Sequence, residues 1–285
     1  MLLNLGSINI DHVYRVPHLP APGETLEAGG YAIGLGGKGA NQSVAAARAG
    51  ARVCHIGAVG PEAAWAREAM AGDGIDVTHI AEVAVPTGHA IITVDPAGEN
   101  VIVIFPGANR SLSDRQVAAA LATAGPDDTL LIQNETSAQV QAARLAVARG
   151  LRVIYSAAPF DVAAVQAVLP HVSLLVLNKV EAEALRTALG ALPGVEMIVT
   201  RGAQGADWLR PGADPLHVPA FAVAAVDTVG AGDCFTGNLA AALDAGLPRH
   251  QAMRRAAAAA ALQVTRPGAS QAMPSAAEVT AFLAR

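Results

Sequence analysis

Between residues 129 and 200 the chain alternates apolar, β-forming runs with Ala-rich amphipathic stretches, and no other feature of the sequence limits the fold as much. Thr129–Ile132 reads as a buried strand and Ser137–Arg149 as a helix stopped by Gly150. A strand at Arg152–Ser156, a helix from Asp161, a strand at Leu174–Leu177, a helix at Val180–Leu189 stopped by Gly190 and a strand at Val195–Thr200 continue the pattern. Strands separated by helices of about 10 to 15 residues predict a parallel sheet covered on both faces. Capping-box patterns at Ser113-x-x-Gln116 and Ser275-x-x-Glu278 mark two further helix starts.

The N-terminal third breaks the rhythm. Residues 12–35 and 87–105 read as short strands joined by turns, with Pro20-Ala-Pro22-Gly23 and Pro96-Ala-Gly98 supplying the turn chemistry. They are assigned to a β-lid, and 1–11, 36–86 and 106–285 to an α/β domain that holds the ligands. A chain of 285 residues has room for both.

Composition excludes several classes of function. A net charge of −5 without a basic cluster gives no footprint for nucleic acid. The apolar stretch Ala256–Thr265 is far shorter than the roughly 20 residues of a membrane span. The start of the chain lacks a basic leader, and Cys54 and Cys234 stand far apart. A reducing, cytoplasmic location without a thiolate metal site is therefore expected.

Three segments could carry chemistry. In Asp227-Thr-Val-Gly230-Ala231-Gly232-Asp233, small residues let backbone N–H groups at a helix start approach an anion, with the helix dipole adding to the field. Asp233, in the first turn, could accept a proton from a hydroxyl attacking a bound phosphate. An ordinary glycine turn with a helix-start Asp is the plainer alternative, and the flanking Asp227-Thr228 argues against it. Gly34-Leu-Gly36-Gly37-Lys38-Gly39-Ala40-Asn41 contains G-x-G-x-x-G but follows turn-rich sequence instead of a parallel strand. It is also no Walker loop, because Gly39 follows Lys38. A close-approach loop for a polyhydroxylated ligand, with Asn41 offering donor and acceptor, competes with a plain hinge. In Gly6-Ser7-Ile8-Asn9-Ile10-Asp11-His12, at the end of the first strand, Asn9 and Asp11 share one face. They suit vicinal hydroxyls, but taken alone a surface Asn/Asp pair is the better reading.

Taken together, these segments resemble the PfkB (ribokinase-like) carbohydrate kinases. Gly6–His12, Pro22-Gly-Glu-Thr25, Gly36–Asn41, Gly107-Ala-Asn109, Asn178-x-x-Glu181, Thr200-Arg-Gly202 and Asp227–Asp233 stand in the family's order along the whole chain. The resemblance implies the family's α/β fold: a central, mainly parallel sheet flanked by helices, with a small β-sheet lid that pairs across a homodimer. It implies transfer of the γ-phosphate of ATP, as its Mg²⁺ complex, to a hydroxyl of a small free sugar. Asn9, Asp11, Gly37, Lys38, Asn41 and Glu135 would contact the sugar, and Asp233 would be the base. Gly230, Ala231 and Gly232 would form the anion hole. Asn178, Thr200, Gly202, Gly205 and Gly232 would hold the nucleotide, and Glu181 would organise Mg²⁺ largely through water. Asp227, Val229, Gln263, Arg266 and Gly268 would hold a monovalent cation, usually K⁺.

The sequence departs from the family pattern in places. Ala272 stands at the last cation ligand, usually Ser. Ser156-Ala-Ala-Pro159 and Leu177 are substitutions near the sheet ends, and Arg201 is unusual beside the nucleotide. Lys38 is the only basic residue in the sugar motifs, so a free pentose, ribose first, is expected over a sugar phosphate. Aromatic residues make up 4% of the chain, few for stacking the base of a nucleoside. A nucleoside kinase, another sugar kinase and a sugar-binding regulator without activity are the rival readings.

Overall fold

A computed structural model describes residues 1–284. A short buried strand, β1 (Leu2–Leu5), ends where Gly6 and Ser7 bend the chain into β2 (Asn9–Arg15), which pairs with β3 (Gly30–Gly36). Helix α1 (Lys38–Arg48) leads to β4 (Val53–Val59), and α2 (Ala64–Gly72) leads to β5 (Asp76–Glu82). A second excursion forms β6 (Gly88–Val94) and β7 (Asn100–Phe105), followed by α3 (Asp114–Ala120). The alternation then runs β8 (Thr129–Gln133), α4 (Gln139–Ala148), β9 (Arg152–Ser156), α5 (Val162–Val168), β10 (Leu174–Asn178), α6 (Lys179–Leu189) and β11 (Glu196–Thr200). An antiparallel pair, β12 (Ala206–Arg210) and β13 (Ala213–Val218), precedes α7 (Ala231–Asp244), α8 (Arg249–Gln263) and α9 (Ala276–Leu283).

The large sheet has nine strands in the order β13-β12-β11-β10-β9-β8-β1-β4-β5, parallel from β11 to β5. Its strands are apolar on both sides because both sides are covered. Leu2, Leu131 and Ile154 face a core shared with α1, α2 and α7 to α9. Leu3, Leu130, Ile132 and Tyr155 face a second core shared with α3 to α6. The small sheet, β3-β2-β6-β7, stands apart, as the turn-rich segments predicted.

Local departures from the sequence reading have physical causes. Asn9 opens β2 of the small sheet, whereas the sequence placed it at the end of the first strand; β1 stops at Leu5. α4 starts two residues later than expected, because Ser137 Oγ donates to Leu112 O and Ala138 takes a left-handed φ of 62°. At Ser275 the capping box is complete. At Ser113 only half of it forms, because the Gln116 amide donates instead to Gly57 O and His79 O. The G-x-G-x-x-G loop does precede a β–α–β crossover, α1 to β4 beside β1, but it is fed by the antiparallel strand β3.

Candidate active site

From β1 the chain adds β4 and β5 on one side and β8 to β11 on the other, so the strand order reverses at β1. A crevice opens outside the carboxyl ends of the strands at such a reversal. The predicted residues gather there because each follows a strand. Ser7 to Asn9 follow β1, Glu135 follows β8, Asn178 ends β10 and Thr200 ends β11.

Two helix N-termini complete the crevice. Gly230 caps α7 with φ 81°, a left-handed conformation that favours glycine. Ala231 N–H is spent on Thr228 O at 3.2 Å, which leaves the N–H groups of Gly232 and Asp233 without a backbone partner. The expected anion hole therefore narrows to those two donors and the dipole behind them. Asp233 is 9% exposed and is held by two neighbouring amides of α1. Asn41 Nδ2 donates to Oδ2 at 3.1 Å, and Gln42 Nε2 donates to Oδ1 at 2.9 Å. This is possible because Gly237 brings α7 against α1: a Cβ there would lie 2.5 Å from Gln42 O.

Opposite Asp233 lies a polar wall. Asn41 Oδ1 is buried with no partner, an acceptor left open beside the carboxylate. Asn9 Oδ1 accepts from Asn109 Nδ2 at 2.8 Å, which turns its own amide nitrogen outward as a donor. Glu135 accepts from Ser7 Oγ and from the backbone N–H of Lys38 at 3.1 Å, tying the start of α1 to the loop after β8. Burial, with the nearby carboxylates of Glu135 and Asp233, pushes the Asp11 carboxyl up to about 6. Burial alone would lower Lys38, but the carboxylates of Asp233, Glu135 and Glu181 outweigh it and raise its pKa. The wall thus combines one ammonium with several acceptors, a surface suited to hydroxyl groups.

Beyond α7's N-terminus a cavity of about 580 Å³ opens between β11 and α8. Thr200, Gly202, Gly205 and Gly232, the residues expected around a nucleotide, line it together with Phe221 and Ala257. Asn178 does not line it. It caps α6 in a capping box with Glu181, whose Oε2 accepts from Asn178 N–H at 2.7 Å, and burial raises the Glu181 carboxyl. Arg201 is turned away by Asp207, 2.5 Å from its Nε. Cys234 is fully buried, and burial pushes its thiol up, so it packs and does not react.

The residues expected around a monovalent cation do meet, but the oxygens of Asp227, Val229 and Gly268 are engaged, and Gln263 turns its nitrogen to them and leaves its own Oε1 buried without a partner. Asp227 accepts from Val229 N–H and Gly268 N–H, each at 2.9 Å. Gln263 Nε2 donates to Val229 O at 2.8 Å and to Gly268 O at 3.0 Å. Arg266 reaches outward to Glu278. As arranged, this ring does not fit a cation. Among the described residues no cluster of three His, Cys, Asp or Glu side chains could hold a metal ion, so Mg²⁺ would need most of its ligands from phosphates and water.

Several contributors were missed in the sequence. Gln42 positions Asp233, Gln133 Nε2 donates to Gln42 Oε1 at 2.8 Å, and Asn109 orients Asn9. Gln42 directly follows Asn41 in a motif already singled out, and Asn109 sits in one. Gln133, at the end of an apolar strand, gave the clearest overlooked signal: a polar side chain where both faces are buried.

Known proteins resemble this chain along its whole length. Residues 1–276 match the pfkB family carbohydrate kinase domain. The chain is 39% identical to the ribokinase of Haemophilus influenzae, covering 98% of this chain and 97% of that one. It is 32% identical to the deoxyribokinase of Salmonella typhi, over 98% and 97% of the two chains. The structure of Arabidopsis thaliana ribokinase complexed with ribose and ATP superimposes with a TM-score of 0.86 at 28% identity, covering 99% of this chain and 98% of that one.

Proposed function

The chain belongs to the pfkB family of carbohydrate kinases, and from that premise we propose that it transfers the γ-phosphate of ATP to the 5-hydroxyl of ribose. The observation that carries the reading is the Asp233 carboxylate, fixed by Asn41 and Gln42 beside the free N–H groups of α7. Asp11, Asn9 and Asn41 bind the sugar hydroxyls, with Gly37, Lys38 and Glu135 shaping the wall around them. Asp233 accepts the proton of the attacking hydroxyl. The N–H groups of Gly232 and Asp233, set up by Gly230 and Ala231, stabilise charge on the transferring phosphoryl group. Thr200, Gly202 and Gly205 hold the nucleotide in the cavity under α8, and Asn178 and Glu181 stand at its phosphate end. Mg²⁺ supplies charge neutralisation on the phosphates.

The small sheet acts as the lid over the sugar, closing residues 12–35 and 87–105 onto the larger domain and keeping water from the phosphate. Its outer face pairs two chains into a dimer. A cytoplasmic location suits the two buried free cysteines, and no helix among the described residues is long and apolar enough to cross a membrane. K⁺, expected from the resemblance, is left out of this mechanism because the Gln263 amide nitrogen occupies the carbonyls of Val229 and Gly268.

The test compares kcat/KM for ribose, 2-deoxyribose, fructose, fructose 6-phosphate and adenosine in a coupled ADP-release assay, with Asp233→Asn as the same-shape control. Ribose is expected to lead, and the control to lose ~10²–10⁴-fold in turnover. A lead for 2-deoxyribose would move the substrate assignment. A control that keeps its turnover would remove Asp233 from its role.

A further inference from the structure

Gln263, Val229, Gly268 and Asp227 form a closed ring of hydrogen bonds at the C-terminus of α8, next to the N-terminus of α7. Asp227 receives the N–H groups of Val229 and Gly268, and the carbonyls of those same residues turn inward onto Gln263 Nε2. Gln263 is 0% exposed, and both hydrogens of its amide nitrogen are spent on the ring. The nitrogen therefore points inward and leaves Oε1 buried without a partner, whereas the reverse orientation would press Oε1 against two carbonyl oxygens.

A monovalent cation is held by oxygens that replace its hydration shell. Here the point where two backbone oxygens converge is taken by an N–H₂ group at 2.8 and 3.0 Å. That group carries partial positive charge, does what a cation would do to the two carbonyls, and is tethered by a covalent side chain. A cation could enter only by expelling a buried amide. Ala272, nearby in the sequence and 2% exposed, has no hydroxyl to offer in exchange.

We propose that the side-chain amide of Gln263 takes the place of a monovalent cation beside the phosphate-binding end of α7, so that this kinase works without one. The inference rests on the sugar-kinase reading for its kinetic readout alone; the binding readouts stand apart from it.

The experiment measures ribose-dependent ADP release and the thermal midpoint in potassium, sodium and N-methylglucamine chlorides at matched ionic strength. Thallium(I) serves as the spectroscopic potassium probe in a ²⁰⁵Tl NMR titration. The wild-type chain is expected to show one rate, one midpoint and no displaceable thallium signal. Gln263→Ala, alone and combined with Ala272→Ser, opens the ring. The opened variants should bind thallium, gain midpoint in potassium because a ligand bound only by the native state stabilises it, and lose rate when potassium is withdrawn. A wild-type rate that rises about tenfold with potassium, equivalent to about 1.4 kcal/mol, would overturn the proposal. So would a potassium-displaceable thallium signal in the wild type, or folded variants that ignore potassium by all three measures. If no sugar is phosphorylated in any salt, the kinase reading fails while the thallium and melting measurements still decide the role of Gln263.

Discussion

Asp11 is raised chiefly by burial and further by two nearby carboxylates, so its carboxyl changes charge at about pH 6. With the carboxyl at about 6 in the folded chain against 3.8 ordinarily, the native state holds a proton that the unfolded state has released across that interval. Its contribution to stability is therefore present below the ordinary value and lost as pH rises through about 6. Sugar binding has the opposite sign, because hydroxyl groups need the carboxylate as acceptor. The KM for ribose should climb as pH falls through about 6, while the KM for ATP stays flat. Asp11→Asn should abolish that slope and raise the sugar KM by roughly 10- to 150-fold, the equivalent of one charge-assisted hydrogen bond. A slope that persists in the variant would assign the titration elsewhere. At this scale the sequence was informative where a residue carries its own chemistry: Asp233, Asp11 and Asn41 were all legible. It was silent on Gln42, whose role depends on which atoms a folded neighbour presents, while the signal at Gln133, a polar residue ending a buried strand, was passed over.

Among the elements, the contact of α1 with α7 decides the geometry of the base. Gly237 lets the helices touch backbone to backbone at Gln42 O, and a Cβ there would also lie 2.7 Å from Ala45 Cβ. Gly237→Val should destabilise the chain by ~1–3 kcal/mol through overpacking. Because the helices must part, Asp233 should retreat from Asn41 and Gln42, and kcat should fall about 10²-fold with a smaller change in sugar KM. Urea unfolding and steady-state kinetics on one preparation check both; a stability loss without a kcat loss would show that the base is positioned from elsewhere. Elements with a strong period were readable in advance, as β9 at Arg152–Ser156 and the Gly190 stop of α6 show. Those set by tertiary partners were not: the left-handed Ala138, the half-box at Ser113 and the antiparallel pair β12–β13 answer to neighbours distant in sequence.

Across the whole molecule, the register of the small sheet separates its two faces. Cross-strand partners share a face, so His12, Ile33, Ile91 and Val103 stand together, while Asp11, Gly34, Ala90 and Ile104 form a row on the other side. The first face leaves Ile33 54% and Val103 63% exposed, an apolar surface that a second copy would cover. Light scattering should therefore find a dimer, and Ile91→Lys with Val103→Lys should convert it to a monomer without unfolding it. A wild-type monomer at micromolar concentration would dismiss the interface. The strand β2 runs without a bulge from Asn9, paired with Gly88, to Arg15, paired with Val94. Asn9 and Asp11, two of the proposed sugar contacts, therefore lie on the same unbroken strand that builds the outer sheet. On the proposed reading, a small sheet transplanted from a relative would bring its own residues at 9 and 11 with it, so part of the sugar preference would travel with the shape of that sheet.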